Sequence, residues 1–449
     1  MSSPITQDNS ASQPELRRDL TLLDSTMINV GSMIGSGIFL VPTTIALYLH
    51  STSLVIFVWT LGGVVSLFGA LSVAELGGLM PRAGGQYVYL RQAYGPLWGF
   101  LYGWSAFVVI MTASASALAV AFATYLGYFF PMGPMEIKLV AIACILFLTT
   151  VNCFGVKYGA IVQNGFTFLK MAALALLVLL SFLLSGGAAS NFEPVFPETL
   201  SSSLIGSLGL AMIAVLWSYD GWIEITFVAG EVRDPARTIH RSLIISTLMV
   251  IVFYVLINLA YIYVLSLDNV ARSTLVASDA ARVVLGRSGA SFVAVAVVIS
   301  TFGACNGFIF TGARIYYAMA KEGLFFRSFA NVHPKFQTPI PSLVGSGIWA
   351  SLLVLSGTYT ELTTYVVFVS WLFYAMACGA VLILRKRSPG LTRPYKTWGY
   401  PYTPLVFILF ALLLVANTII ENPLASAIGV GFVVLGVPAF WFWARKARD

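Results

Sequence analysis

The chain has 449 residues, of which 58% are hydrophobic and 10% charged, and its mean hydropathy is +0.87. A soluble protein of this length must cover its surface with far more charge, so composition excludes a soluble fold and specifies an integral membrane protein. The net charge of +7 does not point to nucleic acid, because the basic residues fall into short segments between apolar runs.

Taken in chain order, residues 1–19 begin with the polar stretch MSSPITQDNSASQPE, which lacks the apolar centre of a signal peptide and reads as a disordered cytoplasmic tail. Insertion is then driven by the first span. Apolar runs bounded by Gly, Pro or charge predict twelve helices near 20–46, 54–80, 94–124, 137–155, 162–185, 204–230, 241–265, 290–320, 341–357, 361–384, 403–420 and 425–443. The expected architecture is an all-α membrane protein with twelve transmembrane helices. Residues 20–185 form a first five-helix repeat and residues 204–384 a second. An odd number of spans inserts the second half upside down. Helices 11 and 12, at 403–443, are appended outside this 5+5 inverted repeat.

Basic residues set the orientation. With a cytoplasmic N-terminus, the outward loops hold only Lys138, Arg272, Arg282 and Arg287, whereas inward segments hold clusters such as Arg385, Lys386 and Arg387. Both termini are therefore expected in the cytoplasm, at a plasma membrane. The cysteines, Cys144, Cys153, Cys305 and Cys378, lie in or beside apolar segments and read as small core residues rather than a disulfide framework.

Two predicted helices, the first and the sixth, are interrupted by glycine-bearing polar kinks, GSMIGSG at 31–37 and WSYDGW at 217–222. A helix in lipid must satisfy its own backbone, so a break at mid-depth survives only where it lines a cavity or is packed in protein. Paired breaks at matching places in two halves mark a transporter's central site. At the first, the N–H groups of Gly35, Ser36 and Gly37 open a new half-helix whose positive dipole end attracts an anion. Carbonyls around Ser32 and Met33 close the preceding half and attract a cation. Together these ends suit the carboxylate and ammonium of an α-amino acid. The competing explanation is that the small residues only permit close helix packing.

At the second break, carbonyls of Trp217 and Asp220 can complete an ammonium cage around Gly221, and the Trp217 ring can cap a small ligand as a gate. Trp222 reads as core packing. Asp220 is costly in lipid unless hydrogen-bonded, and either binds the ligand amine or caps a half-helix. Lys170, within the fifth predicted helix, either occupies the place of a coupling Na⁺, carries protons, or tethers carbonyls of the first break. Glu224 either faces the substrate, favouring a cationic side chain, or pairs with a neighbouring helix. Glu75 reads as an inward-gate residue pairing with a loop arginine. His50, His240 and His333 are isolated, no His/Cys set suits a metal, and no phosphate-binding loop is present. No cofactor, metal or catalytic constellation is expected, and the protein is not read as an enzyme.

With GSMIGSGIF (31–39), AELGGLMPRAGGQYVYL (74–90), VNCFGVKYG (151–159) and WSYDGW followed by GEVRDPARTIHRSL (230–243), the chain resembles the amino acid–polyamine–organocation superfamily. FGACNGFIFTGARIYYAMAKEG (302–323) and HPKFQTPIPSL (333–343) narrow the resemblance to the L-type amino acid transporter family, most like its bacterial serine/threonine and alanine/serine/cysteine exchangers. The resemblance implies a leucine-transporter-type fold and obligatory exchange of neutral amino acids. It also implies that Gly35, Ser36 and Gly37 hold the substrate carboxylate, and that carbonyls of Met33 and Trp217 hold its amine near Asp220. Lys170 matches the lysine that stands where related carriers bind sodium, which implies Na⁺ independence. Animal members link to a heavy subunit through a cysteine between helices 3 and 4; residues 128–138 contain none, so no disulfide-linked partner is expected. The resulting expectation is alternating-access antiport of small neutral L-amino acids. A carrier of cationic amino acids or polyamines, prompted by Glu224, and a membrane sensor that binds without transport are the rivals.

Overall fold

The computed structural model describes residues 16–184, 186–197, 203–356 and 359–446, so residues 1–15 of the expected tail lie outside the described residues. Among the described residues, the regular elements are helices. In order it forms α1 (Leu22–Met33), α2 (Gly37–Leu49), α3 (Thr52–Leu79), α4 (Gln86–Tyr94), α5 (Pro96–Ser105), a π-helical turn (Ala106–Ile110), α6 (Met111–Leu126), α7 (Pro134–Cys153) and α8 (Val156–Leu184). Then follow α9 (Ser203–Tyr219), 3₁₀ turns at Glu224–Thr226 and Ala229–Glu231, α10 (Pro235–Leu265), α11 (Leu267–Arg272), α12 (Val276–Leu285) and α13 (Ser288–Lys321). The last helices are α14 (Ile340–Ser356), α15 (Tyr359–Arg387), α16 (Tyr402–Glu421) and α17 (Pro423–Lys446).

Among the described residues, nine helices are long and apolar enough to span a bilayer (α5–α6 counted as one), and the bent pair α1–α2 makes a tenth. The shorter apolar helices α9 and α14 bring the number to the twelve read from the sequence. Large apolar side chains such as Leu409, Leu413, Ile420, Leu435 and Phe442 on α16 and α17 are exposed. They form the surface that lipid covers. By contrast α13 is buried along most of its length, so it sits at the centre of the molecule, against α6, α8 and α1.

The first break falls where expected. The axis bends by 42° between α1 and α2 at residues 34–36. Thr21 and Asp24 form a capping box that starts α1. The second break departs from expectation. A helix over 204–230 with a kink was predicted, but α9 stops at Tyr219 and no α-helix resumes before Pro235. Gly221 has φ of +104°, a conformation that a side chain resists. Beyond it, Ile223, Ile225, Thr226 and Val228 are β-branched and helix-poor. Tertiary partners take over the backbone instead. The Ile225 N–H donates to Asn29 Oδ1 at 2.9 Å, and the Phe227 carbonyl accepts from the Gly84 N–H at 2.9 Å. At the end of this segment Leu20 and Val232 form an isolated parallel bridge, which ties the start of α1 to the segment after the second break.

Candidate functional site

The two breaks meet. Ser32, Met33, Gly35, Ser36 and Gly37 from the first and Trp217, Ser218 and Asp220 from the second line one small cavity, closed by Leu118 of α6 and Phe308 of α13. Its open space is only about 10 Å³, which holds no more than a single water. Admitting an amino acid therefore requires the helices to part. The contact between breaks is tight enough to require glycine on both sides. A Cβ on Gly37 would lie 2.3 Å from Ser218 Oγ and 2.9 Å from its Cα. One on Gly221 would lie 2.8 Å from Ser32 Cβ and 3.0 Å from the Met33 nitrogen. Gly221 thus joins the breaks from behind and does not line the cavity.

Asp220 does line it. Its Oδ1 accepts a 2.6 Å hydrogen bond from the Tyr374 hydroxyl on α15, so the residue is paired across helices. Its Oδ2 is buried with no hydrogen-bond partner among the described residues. Trp222 is core, with its ring 5.1 Å from that of Tyr374 and 6.0 Å from that of Phe407. Trp217 stands at the cavity wall, half-buried.

Lys170 is fully buried outside the cavity, and its ammonium donates to the carbonyls of Gly31 (2.8 Å), Ile34 (2.6 Å) and Ser300 (3.0 Å). It is a tether from α8 to the first break, taking three oxygens of the kind that would ligate a hard cation. Glu224 is also buried; it meets the Thr311 hydroxyl on α13 and is not among the residues that line the cavity. The pairing alternative for this residue is the one found.

Sequence reading missed Tyr254 of α10. Its hydroxyl lies 2.8 Å from both the Met33 carbonyl of the first break and the Ser218 carbonyl of the second. One hydroxyl hydrogen serves two acceptors, so Tyr254 holds the breaks together while leaving each carbonyl partly available. No local motif announces this, since the two contacts span 221 and 36 residues.

Two further charged groups belong to the end of the molecule rich in basic residues. Glu75 accepts from Arg385 at 2.9 and 2.6 Å and lies 3.0 Å from Arg393, which realises the expected carboxylate–arginine pairing with the loop residue Arg393 and adds Arg385 from the end of α15. Glu231 and Arg314, both wholly buried, form a bidentate pair at 2.8 and 3.0 Å between the second break's exit and α13. At the same end a cavity of about 900 Å³ opens between Arg18, Arg82, Arg91 and Lys321. Beside it Tyr87 donates to Glu322, which also pairs with Arg91 at 2.7 Å. Burial, and the charge of Glu322, push the Tyr87 phenol well above its ordinary pKa, so it remains a donor throughout the working range.

Comparison with known proteins agrees with this geometry. A family model described as amino acid permease matches residues 20–442. The serine/threonine exchanger SteT of Bacillus subtilis is 30% identical over 98% of this chain and 99% of its own. The b(0,+)-type amino acid transporter 1 of Mus musculus is 32% identical over 96% of this chain and 90% of its own. The large neutral amino acids transporter small subunit 2 of Homo sapiens is 33% identical, over 96% and 82% respectively. An all-α chain with broken first and sixth spans, matched end to end, belongs to the amino acid permease family, in the L-type branch of the amino acid–polyamine–organocation superfamily and with its leucine-transporter-type fold.

Proposed function

We propose that the protein exchanges small neutral L-amino acids across a plasma membrane by alternating access, without Na⁺. The observation that carries this reading is the single cavity shared by Ser32–Gly37 and Trp217–Asp220. There α2 presents its N-terminal, positive end, and Met33 and Ser218, whose carbonyls share the Tyr254 hydroxyl, line the same cavity. Carboxylate and ammonium of one zwitterion fit those two ends. Lys170 supports Na⁺ independence, because its ammonium already sits among three carbonyls where a cation would lie. The relatives named as exchangers and transporters of amino acids support exchange over sensing. In this reading helices of residues 20–185 and 204–384 are the two inverted halves, both termini are cytoplasmic, and Trp217 swings as the gate. Counterflow of labelled alanine into proteoliposomes preloaded with unlabelled alanine tests it, since a sensor gives none.

A second reading is favoured by one observation, the unpartnered Oδ2 of Asp220 at the cavity wall. A carboxylate there suits a cationic amino acid or polyamine better than a second apolar methyl. Asp220 now carries the argument that the sequence placed on Glu224. Excess arginine or agmatine should leave alanine counterflow intact if the substrate is neutral. If they abolish it, and Asp220→Asn relieves the inhibition about tenfold or more, as loss of a charge-assisted contact worth roughly 1.5–3 kcal/mol requires, the cationic reading holds.

A further inference from the structure

We propose that Glu224 is a proton-binding site of the transport cycle, carrying its proton while the second break is packed on α13 and losing it to water when that packing opens. The inference rests on the exchange reading above, in which α9 and the segment after it move against α13.

The first support is an inventory of hydrogens. Thr311 has one hydroxyl hydrogen and two oxygen neighbours, the Glu224 carboxyl and the Gly307 carbonyl at 2.9 Å. When the hydrogen serves Gly307, the contact with Glu224 takes its hydrogen from the carboxylic acid. The second is the lack of a counter-cation among the described residues. Arg314, one turn along α13, already gives Nε and Nη2 to Glu231 and Nη1 to the Phe310 carbonyl. Lys170 is held by three carbonyls on α1, the first break and α13. The titratable groups in electrostatic reach of Glu224 are Asp220 from the same segment, Tyr102 from α5, Tyr316 from α13 and Tyr374 from α15. The helix α1 contributes neutral Asn29, and Tyr254 of α10 is engaged with the two breaks. An ionised carboxylate in this setting faces a second acid and no cation, the costliest arrangement for a buried charge.

The third support is a polar route to the large cavity. Thr226 lies two residues on, against Gly85, whose added Cβ would meet its Oγ1 at 2.5 Å. Gln86 follows, with both amide atoms buried and without a hydrogen-bond partner among the described residues. Neighbouring Ala83 and Val88 line the 900 Å³ cavity. Polar atoms of this kind are the groups that water satisfies in a protein interior. When the break leaves α13, the acid proton passes to water along this route. The carboxylate that remains must recover a proton before it can repack on Thr311.

The sign follows directly. Protonated Glu224 is the form that packs, so exchange should fall as pH rises, by about tenfold per pH unit beyond the transition, as one proton requires. The test is labelled-alanine counterflow in proteoliposomes at equal internal and external pH, stepped from acidic to alkaline. The wild type should slow with rising pH, whereas Glu224→Gln, which keeps size and hydrogen bonding, should exchange with a flattened profile. Absence of counterflow at every pH in the wild type would overturn the exchange reading instead, and is distinguishable for that reason. A Glu224→Gln profile superimposed on that of the wild type overturns the proton site. Infrared spectra of the purified proteins give a check independent of transport. An acid carbonyl band lost in Glu224→Gln and shifted in Thr311→Val supports the proposal; a wild-type spectrum without that band contradicts it.

Discussion

Lys170 ties the first break to α8 and α13. Removing its side chain leaves the carbonyls of Gly31, Ile34 and Ser300 without their shared cation. Hydrogen bonds from a charged donor are worth about 1.5–3 kcal/mol each, but water entering the space recovers part of that. Lys170→Ala should therefore lower thermal stability modestly while reducing turnover tenfold or more, because the carbonyl end of the break loses its shape. Melting curves and initial exchange rates on the same preparation compare the two effects; normal turnover would make the tether dispensable. The breaks themselves were legible because glycine and polar residues stand out inside an apolar run. Their partners were not. Tyr254, Asn29 and Thr311 look like ordinary helix residues until the fold brings them across 221, 196 and 87 positions. Glu224 was visible as an anomaly, yet its direction, toward α13 and away from the cavity, is a property of the turn that follows Gly221.

Among elements, the long apolar helices were readable from composition, and their ends fell within about six residues of the expected ones. The short ones were not. Amphipathic α4, α11 and α12 sit between spans, where no membrane-length signal exists. The segment after Gly221 was expected to be a half-helix, and tertiary acceptors and donors replaced its helical bonds. That segment is fastened by Glu231, whose pair with Arg314 lies in a wholly buried setting. Removing one partner of a buried pair costs about 3–5 kcal/mol, because the other charge is left uncompensated. Glu231→Gln should accordingly lower the unfolding midpoint sharply, and Glu231→Gln with Arg314→Met should recover part of the loss. A double variant destabilised by the sum of the losses of Glu231→Gln and Arg314→Met would show that the pair is not coupled.

At the scale of the whole molecule, the central cavity is almost closed while the larger one lies open at the basic end. The Leu20–Val232 bridge, the Glu231–Arg314 pair and the Glu224–Thr311 contact all link the two breaks' segments to each other or to α13. Movement of those segments against α13 is the rearrangement that would connect the cavities. Counterflow in proteoliposomes, run on the wild type beside Gly37→Ala, tests most directly the proposal that the two breaks share an amino acid site. Preloaded wild-type vesicles should accumulate labelled alanine transiently, and Gly37→Ala, whose methyl would press into the Ser218 backbone at 2.9 Å, should reduce the signal about fivefold or more, the effect of about 1–3 kcal/mol of overpacking. Undiminished counterflow in Gly37→Ala, or label entering empty and preloaded vesicles alike, would contradict it.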